Sequence, residues 1–175
     1  MNYATIKWTD IANGEGVRIS LFVSGCTHRC KNCFNEIAWD FSYGLPFDES
    51  VQNQIFTELA SSFIAGISLL GGEPLEPQNQ QALYPFVKAI KERFPDKTIW
   101  CYTVFVLDEK TGELREKHKN TDCTKDLISL FDVLVDGPYV EDLYDIRLKF
   151  RGSSNQRVID VQKTLEKGEC VLYME

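Results

Sequence analysis

Cys26, Cys30 and Cys33 stand in one short run, Ser24-Gly-Cys-Thr-His-Arg-Cys-Lys-Asn-Cys-Phe-Asn35, and bring three soft thiolate ligands into a single loop. An iron–sulfur cluster normally takes four cysteine thiolates, so a cube held by three keeps one iron open to a further ligand. Chemistry can occur at that iron. The competing reading is a structural zinc knot, with His28 completing a Cys-x-His-x-Cys-x-x-Cys set, since zinc favours four nitrogen and sulfur ligands. Zinc fingers usually draw ligand pairs from two distant segments, whereas all four residues here share one loop. That arrangement disfavours zinc, and with a cluster in the loop His28 becomes a plain loop residue.

Three other segments carry polar chemistry. Gly71-Gly72-Glu73-Pro74 places a carboxylate beside two glycines; glycine lets a backbone approach a ligand closely, and a carboxylate suits an ammonium group. On its own it is also an ordinary turn. Asp136 ends the apolar run Val133 to Val135 and precedes Gly137-Pro138, which fits either a turn acid or a ligand-facing acid. Arg151-Gly-Ser-Ser-Asn-Gln-Arg157 reads as a Ser- and Asn-containing polar loop. Cys101 and Cys170 lie in apolar, strand-like runs and Cys123 in a polar one, so these three thiols are expected to be structural and inert.

Apolar runs alternate with helix-period segments, the pattern of a parallel sheet wrapped by helices. Ile19 to Val23 reads as a strand leading into the cysteine loop. Asp48 can N-cap a helix whose Val51, Ile55, Leu59 and Phe63 recur every four residues. Ile67 to Leu70 is a second strand, followed by a helix over Gln80 to Phe94 that Pro85 should delay or kink. Lys97 to Val106 is a third strand, Lys125 to Phe131 a short helix, and Val133 to Val135, Val158 to Val161 and Cys170 to Tyr173 three more strands. Residues 108–122 are charged and polar, with Thr111-Gly112 as a turn, and read as a solvated hairpin or excursion, an insertion in the chain. In such sheets ligands sit beyond the carboxyl ends of the strands, where the cysteine loop, Gly71-Gly72-Glu73 and Asp136 all fall.

The 175 residues suit one domain, residues 1–175, burying roughly 70% of the surface exposed when unfolded. A net charge of −7 with scattered Lys and Arg argues against nucleic acid as partner. The longest apolar stretches are too short to span a bilayer and the N-terminus lacks a signal-peptide pattern. A cytoplasmic protein without a membrane partner is expected.

The Cys-x-x-x-Cys-x-x-Cys spacing resembles that of the radical S-adenosylmethionine enzymes. Together with Gly14-Glu-Gly-Val-Arg18, Phe22-Val-Ser-Gly-Cys26, Gly71-Gly-Glu-Pro-Leu75, Asp132-Val-Leu-Val-Asp-Gly-Pro138 and Arg151 to Arg157, it resembles the family of anaerobic ribonucleoside-triphosphate reductase activating proteins. The resemblance implies an α/β fold, an incomplete, laterally open (β/α) barrel. The length agrees, since a closed barrel typically needs about 250 residues. It implies a 4Fe–4S cluster on Cys26, Cys30 and Cys33, with S-adenosylmethionine bound at the open iron and contacted by Asn32, Cys33, Phe34, Gly71, Gly72, Glu73 and Asp136. It implies an activase that cleaves S-adenosylmethionine reductively and makes a glycyl radical on the reductase, fed by a flavodoxin-like or other low-potential electron donor. Asn32 departs from the hydrophobic or aromatic residue usual before the third cysteine, which leaves adenine stacking to Phe34 or to the backbone of 32–34. Val104 follows Trp100-Cys-Tyr-Thr103 where a glycine is frequent. Two alternatives differ in class: a radical enzyme acting on a small molecule, such as 7-carboxy-7-deazaguanine synthase, and a zinc-stabilised module without catalysis.

Overall fold

Four parallel strands form the centre of the computed structural model, which describes residues 1–175. They are β2 (Val17–Val23), β4 (Ile64–Gly71), β5 (Thr98–Tyr102) and β8 (Val133–Asp136), paired in that order. Helices α1 (Glu49–Leu59), α2 (Pro77–Arg93) and α3 (Thr124–Ser129) make the crossovers that parallel pairing requires. Antiparallel strands extend both sides: β1 (Asn2–Asp10) and β3 (Leu45–Pro46) beyond β2, β9 (Arg157–Asp160) and β10 (Leu172–Met174) beyond β8. The sheet order is β10-β9-β8-β5-β4-β2-β1-β3, with two free edges, so the α/β sheet is mixed and does not close.

Side chains alternate across each strand, and here the two faces differ. Ile19, Leu21, Ile67, Leu69, Ile99, Cys101 and Leu134 meet Ile55, Leu59, Leu83, Phe86, Ile90 and Leu127 in one continuous core under the helices. The opposite face carries Arg18, Ser20, Ser68, Trp100, Val133 and Val135, buried without a helix over them. All five donors of Arg18 are filled, by Ser68 Oγ, Thr98 Oγ1 and the carbonyls of Glu15, Ile67 and Thr98, and burial pulls its pKa down to about 10. A saturated guanidinium can thus stay buried on this face of the sheet.

Asp48 caps α1 by accepting from the Val51 amide, and Val51, Ile55 and Leu59 are buried. Phe63 leaves that stripe, because the helix stops at Leu59 and its ring is exposed. Pro85 neither delays nor ends α2, which begins at Pro77 and runs through it. The third strand stops at Tyr102 rather than Val106. Cys170 lies ahead of β10 and is exposed. Residues 108–122 contain the expected hairpin, β6 (Leu107–Asp108) paired with β7 (Glu113–Leu114), but it is not wholly solvated, because Leu107 and Leu114 join the main core.

Candidate active site

The cysteine loop leaves the carboxyl end of β2 and is held by backbone. The amide of Gly25 donates to Ala38 O (2.7 Å) and that of Cys26 to Trp39 O (3.1 Å). From the end of β4, the Gly72 amide donates to Val23 O and the Glu73 amide to Gly25 O, both at 2.8 Å. A Cβ on Gly72 would lie 2.7 Å from Gly25 O and 2.9 Å from Ala38 O, so only glycine fits between these chains. The Gly71-Gly72 motif therefore packs under the cysteine loop as well as lining the space beside it.

Cys26, Cys30 and Cys33 open into one cavity of about 600 Å³, shared with Asn32, Phe34, Gly71, Gly72 and Glu73. That volume suits a cofactor-sized ligand. Cys26 is buried and the other two are half-buried. Burial pushes the Cys26 thiol up, opposed by the amides of Arg29 and His28; burial and then the neighbouring Cys26 and Cys33 push up Cys30. The Asn35 amide reaches Cys33 Sγ at 3.4 Å. Amides directed at sulfur are one of the means by which proteins tune iron–sulfur clusters. No three His, Cys, Asp or Glu side chains close on a single ion position, and His28 lies outside the cavity lining.

Asn32 occupies its departure from the expected pattern for a backbone reason. Its φ is +57°, a left-handed conformation that Asn tolerates better than a bulky side chain, and its side-chain Nδ2 donates to Glu141 Oε1 at 2.8 Å. Phe34 is exposed at the cavity mouth.

The two acids are placed differently. Glu73 lines the cavity but is buried, and its oxygens accept from the Leu75 amide, Thr103 Oγ1 and the Val104 amide, each at 2.8 Å; burial pushes its pKa up to about 7. The carboxylate thereby ties the glycine segment to the end of β5. Asp136 does not line the cavity. It accepts from Arg157 Nε (2.8 Å) and Nη2 (2.6 Å) and from the Leu107 amide, joining β8 to β9 and to the hairpin. Arg157 also binds Glu109, whose pKa falls to about 2 because its own amide, Arg157 and Arg115 outweigh its burial.

Sequence reasoning missed much of the wall. Trp39, Tyr102, Val135, Tyr139, Tyr144, Leu148 and Phe150 complete it, and Arg151, Gly152 and Gln156 enter from the polar loop. Alternation along β5 is the signal for Tyr102: Trp100 and Tyr102 share the face opposite buried Cys101. Nothing in the local sequence signals the distant pair that steadies the cysteine loop, in which Lys119 binds buried Glu76 at 2.8 Å while Glu76 accepts from Thr27 N and Oγ1.

A cavity that presents three thiols at the carboxyl ends of parallel strands defines a cluster-binding α/β domain, and the family model described as "4Fe-4S single cluster domain" matches residues 12–159. The chain is 43% identical over 158 residues to the anaerobic ribonucleoside-triphosphate reductase-activating protein of Pasteurella multocida, covering 89% of this chain and 95% of that one. It is 41% identical to the Escherichia coli K12 protein of the same name (90% and 97% covered) and 35% identical to that of Enterobacteria phage T4 (90% and 93%). The chain belongs to the family of anaerobic ribonucleoside-triphosphate reductase-activating proteins.

Proposed function

We propose that this chain is an activase that cleaves S-adenosylmethionine reductively at a 4Fe–4S cluster and generates a glycyl radical on an anaerobic ribonucleoside-triphosphate reductase. The observation that carries the reading is the single cavity shared by Cys26, Cys30, Cys33 and the Gly71-Gly72 segment, in a chain alike to activating proteins over nine-tenths of its length. Cys26, Cys30 and Cys33 would hold the cluster. When bound, cluster and S-adenosylmethionine supply the one-electron cleavage of the sulfur–C5′ bond, releasing methionine and a 5′-deoxyadenosyl radical that takes hydrogen from a glycine Cα of the reductase.

The protein's part is binding, orientation and exclusion of side reactions. Gly71 and Gly72 let the backbone approach the methionine end, and the Asn32 to Phe34 strip borders the adenine. Glu73 fixes the geometry of the glycine segment through Leu75, Thr103 and Val104 while contributing the cavity's carboxylate. Asp136 acts at one remove, through Arg157 and the Leu107 amide. Leu70, Val104, Val135, Leu148 and Phe150 form an apolar wall that keeps water from a radical. In this reading the open sheet is a partial barrel whose unclosed side admits a protein loop. The electron comes from a low-potential, flavodoxin-like donor, and the reaction takes place in the cytoplasm. No helix of this chain is long and apolar enough to cross a membrane.

The test is anaerobic: cluster-loaded protein, S-adenosylmethionine, a strong reductant and the reductase, with 5′-deoxyadenosine quantified and the reductase examined by electron paramagnetic resonance. A glycyl signal that needs all four components is expected. Rapid turnover of a deazapurine precursor without any radical on the reductase would move the assignment to a small-molecule enzyme.

A further inference from the structure

The cysteine loop has an outer side that the cavity does not use. Arg29 and Lys31 flank Cys30; both are exposed while Cys30 is half-buried, and neither lines the cavity. From Ser24 to Asn35 the chain carries these two cations and no acid, although the whole chain holds 26 acidic residues against 19 basic ones. The acid next in sequence, Glu36, follows the third cysteine, whereas the two cations bracket the second.

Both charges are open to a partner. Lys31 meets only Glu141, at 3.9 Å, between side chains that are 86% and 52% exposed, and such a surface pair contributes little in water. Arg29 has no carboxylate partner. Its guanidinium lies over the ring of Trp39, 5.7 Å from the centroid.

Trp39 connects this face to the cavity. Its side chain lines the cavity with Cys26, Cys30 and Cys33, and its carbonyl accepts from the Cys26 amide. Arg29 is held above it at φ +51°, a conformation that persists in a bulky residue where the surroundings over-determine it. On the same turn as Trp39, Ile37 is 59% exposed. An uncovered apolar side chain beside unpaired cations has the make-up of a small, transient protein interface.

We infer that the outer face of the cysteine loop, built on Arg29, Lys31 and Ile37, is the docking surface of an acidic one-electron carrier protein, which delivers its electron across Cys30 and Trp39. The inference rests on the functional reading above and deepens it by giving the electron donor a place and a charge. The carrier is oxidised by one electron and the cluster is reduced by one, with no atom transferred. Opposite charges steer such an encounter, raising its association rate by about tenfold or more at low salt.

The probe is an acidic flavodoxin in its hydroquinone form, with photoreduced deazariboflavin as a small uncharged comparison. Each is mixed anaerobically with cluster-loaded wild type, with Arg29→Glu/Lys31→Glu, and with Lys88→Glu/Lys125→Glu, which makes the same change in net charge at exposed positions elsewhere. Cluster reduction is followed by absorbance, and binding of oxidised flavodoxin by calorimetry, at matched iron content. The loop pair should slow flavodoxin-driven reduction and weaken flavodoxin binding by about tenfold, while the control pair stays near wild type and deazariboflavin reduces all three alike. Wild-type binding should weaken as salt rises. Should the charge-reversed loop not hold its cluster, Arg29→Gln/Lys31→Gln decides, with a smaller loss in the same direction expected. No flavodoxin binding by wild type, binding unchanged in the loop pair, or equal loss in both pairs overturns the inference while leaving the functional reading in place. Slower reduction by deazariboflavin as well also overturns it, and assigns Arg29 and Lys31 to holding the cluster. Lost reductase binding with intact flavodoxin binding overturns it too, and gives the face to the reductase. Wild type that takes the electron from flavodoxin yet never cleaves S-adenosylmethionine overturns the functional reading and leaves the docking face standing.

Discussion

Replacing Lys119 by Met should loosen the cysteine loop, which it meets at Thr27, 92 positions away in sequence. Lys119 Nζ lies 2.8 Å from Glu76 Oε2 and 2.7 Å from Thr27 Oγ1, and the Glu76 side chain is only 2% exposed. Burial opposes ionisation of Glu76, yet Lys119 and Thr27 together hold its carboxyl below the ordinary value. Removing one partner of a buried pair strands the other, at about 3–5 kcal/mol. With a urea dependence of about 2 kcal/mol per molar, the unfolding midpoint falls by about 1.5–2.5 M. Glu76→Gln introduced into the Lys119→Met background removes the stranded charge, so the double variant should recover most of the loss. Hydrogen exchange of amides in 25–35 should rise in Lys119→Met. The reasoning is refuted if Lys119→Met stays within about 1 kcal/mol of wild type, or if the double variant loses the sum of the two single changes.

Cys26→Ala, Cys30→Ala and Cys33→Ala should each remove most bound iron after anaerobic reconstitution, whereas Cys101→Ala, Cys123→Ala and Cys170→Ala retain it; iron and sulfide analysis of the six variants checks this. Gly72→Ala should destabilise by about 1–3 kcal/mol, since the added methyl meets Gly25 O at 2.7 Å and must move the loop that carries Cys26; unchanged urea unfolding and iron content would count against that packing. Glu109 sits at about 2 in the folded chain against 4.5 ordinarily, so its stabilisation is present above pH 4.5 and is lost as pH falls towards 2. Glu109→Gln should therefore flatten the loss of stability across that window, and an unaltered pH profile would show that its pairing with Arg157 contributes nothing.

The motifs were legible because they are local. Thiol spacing, paired glycines and an acid at a strand end are visible in short runs, and the structure brings the three cysteines, Asn32, Phe34, Gly71, Gly72 and Glu73 to one cavity. Asp136 is the exception: burial and Arg157 turn its carboxylate inward, a pairing between residues 21 positions apart in sequence that no local pattern encodes. β1 escaped notice because only Asp10 of its nine residues is buried and its outer partner, β3, is only two residues long. The hairpin 107–114 read as solvated because its charges dominate composition, although Leu107 and Leu114 anchor it in the core.

The central claim is hydrogen transfer from a partner's glycine, and isotope tracing tests it most directly. Reductase made with glycine deuterated at Cα, incubated anaerobically with the cluster-loaded chain, reductant and S-adenosylmethionine, should yield 5′-deoxyadenosine one mass unit heavier, in step with loss of the Cα hydrogen splitting from the radical's resonance. Unlabelled 5′-deoxyadenosine accompanied by a full radical signal would contradict direct abstraction by the radical formed in this cavity.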